Sequence, residues 1–93
     1  MLQAEAESVV DLLRTQRIFA HVYRPGVGPS CGVRVVLSDG REALWDADGA
    51  AGLEAQVMRD GMLVGFVPVI SGSADFSIEQ TVAAIAAAEY GDN

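Results

Sequence analysis

The stretch that decides the fold is Leu53-Glu54-Ala55-Gln56-Val57-Met58-Arg59-Asp60-Gly61-Met62-Leu63-Val64-Gly65-Phe66. Asp60-Gly61 sits inside it, and Asp-Gly favours the positive φ angles of a two-residue type I′ hairpin turn. Pairing residues outward from that turn puts Leu53, Ala55, Val57, Met62, Val64 and Phe66 on one face. Glu54, Gln56 and Met58 point the other way. A slip of one residue would scramble this separation, because strand side chains alternate with period two. A helix over residues 50–59 is the competing assignment. The strict apolar–polar alternation from Leu53 to Val57 selects the strand.

Two further Asp-Gly pairs lie upstream, Asp39-Gly40 and Asp48-Gly49. The same two-residue pairing around Asp39-Gly40 gives Val33, Val35, Leu37 and Leu44 as a core face. Arg34, Val36, Ala43 and Trp45 fall on the other, with Arg34 opposite Trp45, where its guanidinium can stack on the indole. Pro25 to Gly32 holds two prolines and three glycines and reads as a loop. Ile18 to Tyr23, rich in β-branched and aromatic residues, reads as a strand. Before it, Leu2, Ala6, Val9, Val10 and Leu13 recur at helical spacing, with acids early and Arg14 and Arg17 late, so a helix is expected over residues 2–16.

Downstream, Pro68 ends the last strand. Ser77 and Gln80 have the spacing of a capping box. Ile78, Val82 and Ile85 form an apolar stripe among alanines, and Gly91 suits a C-terminal cap, so a second helix is expected over 78–90. The expected fold is therefore α+β: an N-terminal helix, an antiparallel meander of four to five strands, and a C-terminal helix. The helices lie on one face of the sheet, in a single domain over 1–93.

A chain of 93 residues buries only roughly 60–65% of its unfolded surface. Yet 51% of its residues are hydrophobic. Apolar surface left after the core is filled is naturally buried against a second copy or another protein. The formal net charge of −7 opposes nucleic-acid binding, which rests on neutralising phosphates, and opposes adhesion to anionic membranes. All the basic residues except His21 are arginine, which with abundant Ala, Gly and Val is the mark of GC-rich coding, as in some bacterial genomes. Cys31 is the one cysteine and allows no intramolecular disulfide. The acidic start lacks the basic region of a signal peptide, and the apolar run Met62 to Ile70 is far below the roughly 18 residues needed to span a bilayer. The expected setting is the cytoplasm.

Several patterns touch on chemistry. Gly28-Pro29-Ser30-Cys31-Gly32 matches G-x-S-x-G, but that motif needs a helix after the serine, and here a strand follows. Cys31 and His21 flank the same loop and bear comparison with a thiol–imidazole pair, although no third orienting group is evident. Asp46-Ala47-Asp48-Gly49 matches part of a calcium loop, whose first and twelfth positions would fall on Leu44 and Ala55, neither of them a ligand. The carboxylates of Glu42, Asp46, Asp48 and Glu54 read as a solvated turn. The order helix, three strands, helix resembles the double-stranded RNA-binding domain in topology. That family grips phosphate with a basic start to its last helix, whereas Ser73 to Gln80 carries Asp75 and Glu79 and no base. No catalytic set, metal site or cofactor is expected.

What remains is an interface. Phe19, His21 and Tyr23 alternate along one side of the first strand, and with Arg34 and Trp45 they are the candidate contact residues. The alanines of the second helix offer a lesser surface. Three functions are compatible with these residues. The first is a small acidic protein–protein interaction module, accessory or regulatory and self-associating as a homodimer. The second is an acidic inhibitor or antitoxin-like mimic that occupies a basic site. The third is a small enzyme using Cys31 and His21.

Overall fold

The computed structural model describes residues 1–24, 30–47 and 52–90. The first helix, α1, spans Gln3–Thr15 and buries Ala6, Val9, Val10 and Leu13 of the expected stripe, while Leu2 is the exposed N-cap before it and packs nothing into the core. It ends in a Schellman arrangement: the N–H of Arg17 donates to the Arg14 carbonyl and that of Ile18 to the Leu13 carbonyl (3.0 and 3.1 Å). Arg17 takes the left-handed conformation this requires (φ 63°), a position glycine would fill without strain. The chain thus turns at once into the sheet.

Five strands follow, β1 (Phe19–Tyr23), β2 (Gly32–Val36), β3 (Glu42–Ala47), β4 (Leu53–Arg59) and β5 (Met62–Val67). They pair in chain order as one antiparallel sheet, so β1 and β5 are its edges. A short 3-10 turn (Ser73–Asp75) leads to α2 (Ile78–Ala87), which Ser77 and Gln80 open through the expected capping box. The α+β meander and the strand over 53–59 are as expected.

Two registers differ from the reading of the turns. Between β2 and β3 the loop holds three residues, not two: Leu37 N–H donates to the Arg41 carbonyl, and Gly40 sits at φ 92°. A turn followed by one residue of positive φ is the common three-residue hairpin, and glycine serves it as readily as a two-residue turn. The shift pairs Val33 with Trp45 and Arg34 with Leu44. Ala43 and Trp45 therefore join Val33 and Val35 in the core, and the expected stacking of Arg34 on Trp45 does not form. In the second hairpin the two-residue turn holds, with Asp60 at φ 52° and Gly61 at φ 80°. A bulge then shifts the ladder, pairing Met58 with Leu63 but Val57 with Gly65. Val64 is the extra residue. Phe66 consequently shares a face with Gln56, not with Val57.

One face of the sheet is covered. Its buried rows run Ala20, Val35, Ala43, Val57 and Val33, Trp45, Ala55, closed by α1 and by Val82 and Ile85 of α2. The cover is lopsided: α1 lies against β1, β2 and α2, and neither helix approaches β4 or β5 as closely. Beyond β5 the chain folds back on Leu53. Ser73 Oγ accepts the Leu53 N–H (2.7 Å) and donates to the Ile70 carbonyl (2.5 Å), while Ile70 N–H donates to the Leu53 carbonyl (2.9 Å).

The second helix stops at Ala87, three residues short of the expected end, because Ala88 is extended (ψ 142°). That turns Tyr90 onto the core. Trp45 Nε1 donates to its hydroxyl (3.0 Å), the rings meet edge to face, and Arg41 donates to its carbonyl (2.9 Å). Gly91, expected as the cap, and the turn Asp48-Gly49 lie outside the described residues.

Candidate interaction surface

The face of the sheet away from the helices carries mixed chemistry. Across β2 and β3, Arg34 forms an ion pair with Glu42. Half-buried Leu44, Val36 and Met58 lie between polar neighbours. Phe19 (74% exposed) and His21 stand on this face at the β1 edge, with half-buried Tyr23 beyond them. The cross-strand pair of His21 is Arg34. Four of the five candidate contact residues are therefore neighbours on one open face. The fifth is not: Trp45 is 0% exposed, since the three-residue turn sends it to the helix side. Its role is in the core.

The two edges differ. At β1, Arg14 of α1 donates from Nε to the Ala20 carbonyl (3.0 Å), and its Nη2 lies 3.2 Å from Nδ1 of His21. Arg17 and Arg24 flank the strand, and no acid occurs between Arg14 and Arg24. A groove of 490 Å³ lies here among Arg14, Arg17, Phe19 and His21.

At β5 the surface is apolar. Of the eight large hydrophobic side chains exposed among the described residues, five lie between positions 62 and 69: Met62, Leu63, Val64, Phe66 and Val69. No ionisable side chain occurs from Gly61 to Ala74. Phe66 is 66% exposed and Met62 70%. The sequence held this signal in the uncharged run 61–74, but alternation around the turn assigned Val64 and Phe66 to the core face. The one mark of the bulge is Gly65, which pairs with Val57 beside the extra Val64, since a glycine inside a strand often accompanies a bulge.

The chemical candidates are kept apart. Cys31 is fully buried, and its main chain brackets Met1, its N–H donating to the Met1 carbonyl (2.7 Å) and its carbonyl accepting from the Met1 nitrogen (3.0 Å). His21 is exposed on the opposite face. In the ladder, Cys31 lies three residues along from Arg34, about 10 Å at the usual rise per residue. Of the G-x-S-x-G pattern, Gly28 and Pro29 fall outside the described residues, and Gly32 opens a strand. Asp48 of the partial calcium loop also falls outside. Among the described residues no three of His, Cys, Asp and Glu come together as metal ligands. No helix among them is long and apolar enough to cross a membrane.

Two groups titrate away from their ordinary values. Hydrogen bonding from the Arg41 main chain, then from its side chain, with Arg59 adding charge, holds the Asp39 carboxyl below its usual range. Burial pushes the Tyr90 phenol up, against the smaller opposing effect of the Trp45 hydrogen bond. Compared with family models, with curated proteins and with solved structures, the chain matches none.

Proposed function

We propose that this chain is a protein–protein interaction module, accessory or regulatory in role, that self-associates through the exposed apolar edge at β5. The observation that supports it is the cluster of five exposed apolar side chains on an uncharged segment. Exposed apolar surface of that density on a small domain marks a contact site. Catalysis is the weaker reading, because the thiol and the imidazole that would carry it stand on opposite faces. The charge-mimic reading is weaker too, because Asp39 and Glu42 are already engaged by Arg41, Arg59 and Arg34. A cytoplasmic setting goes with the proposal, since the lone cysteine permits no intramolecular disulfide.

The test is the native mass, by light scattering after gel filtration, at low and at high salt. An apolar contact gives a dimer at both, because screening weakens charge pairing and leaves apolar burial intact. A dimer that dissolves steeply with salt would move the reading to charge pairing. A monomer at every salt and up to high protein concentration would overturn self-association.

A further inference from the structure

We infer that the groove along the β1 edge is a binding site for a small organic carboxylate, an anion carried on an apolar body. The inference is independent of self-association at β5, because it uses the opposite edge of the sheet.

The cations of this chain are segregated. From Leu12 to Ser38 it carries four arginines, His21 and no acid, so all thirteen acids lie elsewhere, in company with only two arginines. Arg14, Arg17 and His21 of that run line the 490 Å³ groove. The other two arginines of the run are engaged, Arg34 by Glu42 and Arg24 by the Gln3 side chain (2.6 Å). Arg17 is not. Among the described residues its side chain has neither a hydrogen bond nor an ion pair. It also holds the left-handed position after α1 (φ 63°), which glycine or asparagine would take at less cost. An arginine there strains the backbone and adds no contact to the fold, so its guanidinium is available to a ligand.

Arg14 prepares the other donors by reaching around the strand edge. Its Nε donates to the Ala20 carbonyl, and its Nη2 lies 3.2 Å from Nδ1 of His21. A guanidinium only donates, so Nδ1 accepts and the ring proton is left on Nε2. The unused N–H groups of Arg14, the Nε2–H of His21 and the whole of Arg17 therefore have no acceptor among the described residues. Planar guanidinium donors match a carboxylate two bonds at a time.

Charge and shape select the occupant. Cationic donors without an acid beside them reject a cation, and they would go unpaired beneath an apolar partner. A large polyanion would meet the acids outside the groove. A small anion within it meets the local arginines, since exposed charges beyond about 8 Å are largely screened at physiological salt. Arg17, Ile18 and Phe19 also wall an adjoining hollow of 300 Å³ that continues over Leu37 and Ala86. That apolar extension holds an organic body, which an inorganic anion lacks. Both spaces are of the size that takes small ligands, about 300–1,000 Å³.

The experiment titrates 3-phenylpropanoate, its uncharged amide and inorganic phosphate into the full chain and follows the backbone amides by NMR. The carboxylate should shift residues 14–21 saturably, with a dissociation constant of a few millimolar, about what a probe of this size reaches. The uncharged amide and phosphate should each bind at least about tenfold more weakly. Arg17→Asn, which suits the left-handed backbone, should weaken the carboxylate at least about tenfold, as loss of a charge-assisted hydrogen bond does. Arg59→Ala removes the same charge away from the groove and should change binding by no more than about twofold. Equal binding of carboxylate and uncharged amide, shifts centred outside 14–21, or an Arg17→Asn that binds as the wild type does overturns the site. Phosphate that binds as tightly as the carboxylate overturns the organic occupant. Should Arg17→Asn unfold by circular dichroism, the three titrations of the wild type decide alone.

Discussion

The two edge strands of this sheet differ in charge and in what covers them. The strand β1 is five residues long, flanked by Arg14, Arg17 and Arg24, and a guanidinium from the neighbouring helix already occupies the Ala20 carbonyl. Short edges, cations, bulges and covering side chains are the usual defences of an exposed strand, and β1 has three of them where β5 has only its bulge. β5 has six residues, no charge and no helix laid along it, and its one irregularity is the bulge at Val64. The difference extends inward. The packed core runs from β1 to β4, where Leu53, Ala55 and Val57 are buried, and β5 lies at its margin with exposed side chains. Most of the sheet holds the fold, and the β5 edge is left available for contact.

The largest expected effect breaks the covered part. Trp45 is fully buried and tied to Tyr90, so Trp45→Ala should cost about 3–5 kcal/mol. That is a large share of the roughly 5–14 kcal/mol available to a domain of this size. Phe66→Ala, also an aromatic deletion, should change stability by no more than about 0.5 kcal/mol when measured at a dilution where the protein is monomeric. Urea denaturation followed by circular dichroism measures both. Equal losses would mean that β5 belongs to the core after all.

Tyr90→Phe is a smaller perturbation within the covered part. It leaves the indole N–H of Trp45 without its acceptor, at about 1–3 kcal/mol. It also changes the alkaline limb. Burial raises the phenol in the folded state above its ordinary value of 10.0, so above pH 10 the unfolded chain releases that proton first. The unfolded state then holds fewer protons than the folded one, and stability falls as pH rises through this window. The variant should lose that part of the decline, which urea midpoints between pH 9 and pH 11 would show.

How much of this was legible in the sequence depended on which force set each feature. The helices and the run of five strands follow from local periodicity and turn residues, and local signals suffice for them. Trp45 was assigned to the wrong face because Asp39-Gly40 serves a three-residue turn as readily as a two-residue one, and a single extra residue inverts a strand. Leu63 and Phe66 come to the same face through a bulge whose mark in the sequence is Gly65 alone, and a single strand glycine fits an unbroken ladder as well. Tyr90 was read as the tail of a helix because its partners, Trp45 and Arg41, lie 45 and 49 residues away in sequence. The exposed edge at β5 was visible as the uncharged run 61–74, with nothing in the pattern to say that the core would stop short of it.

The smallest effect on stability bears most directly on the comparison of the edges. Arg14→Ala removes the donor to the Ala20 carbonyl and the contact with His21, both near the surface, so the cost in stability should stay near about 1 kcal/mol or below. Its effect on assembly is of a different kind. If the guanidinium is what keeps β1 from pairing, removing it gives the molecule a second receptive edge. Dimers joined at β5 can then add end to end through β1, and light scattering should detect species larger than the dimer that grow with protein concentration. Salt should promote them, because Arg17 and Arg24 still repel their copies in the facing strand. A mass that stays at the dimer would assign the silence of β1 to its short length and to those two remaining cations, with Arg14 left to orient His21 and to anchor the end of α1.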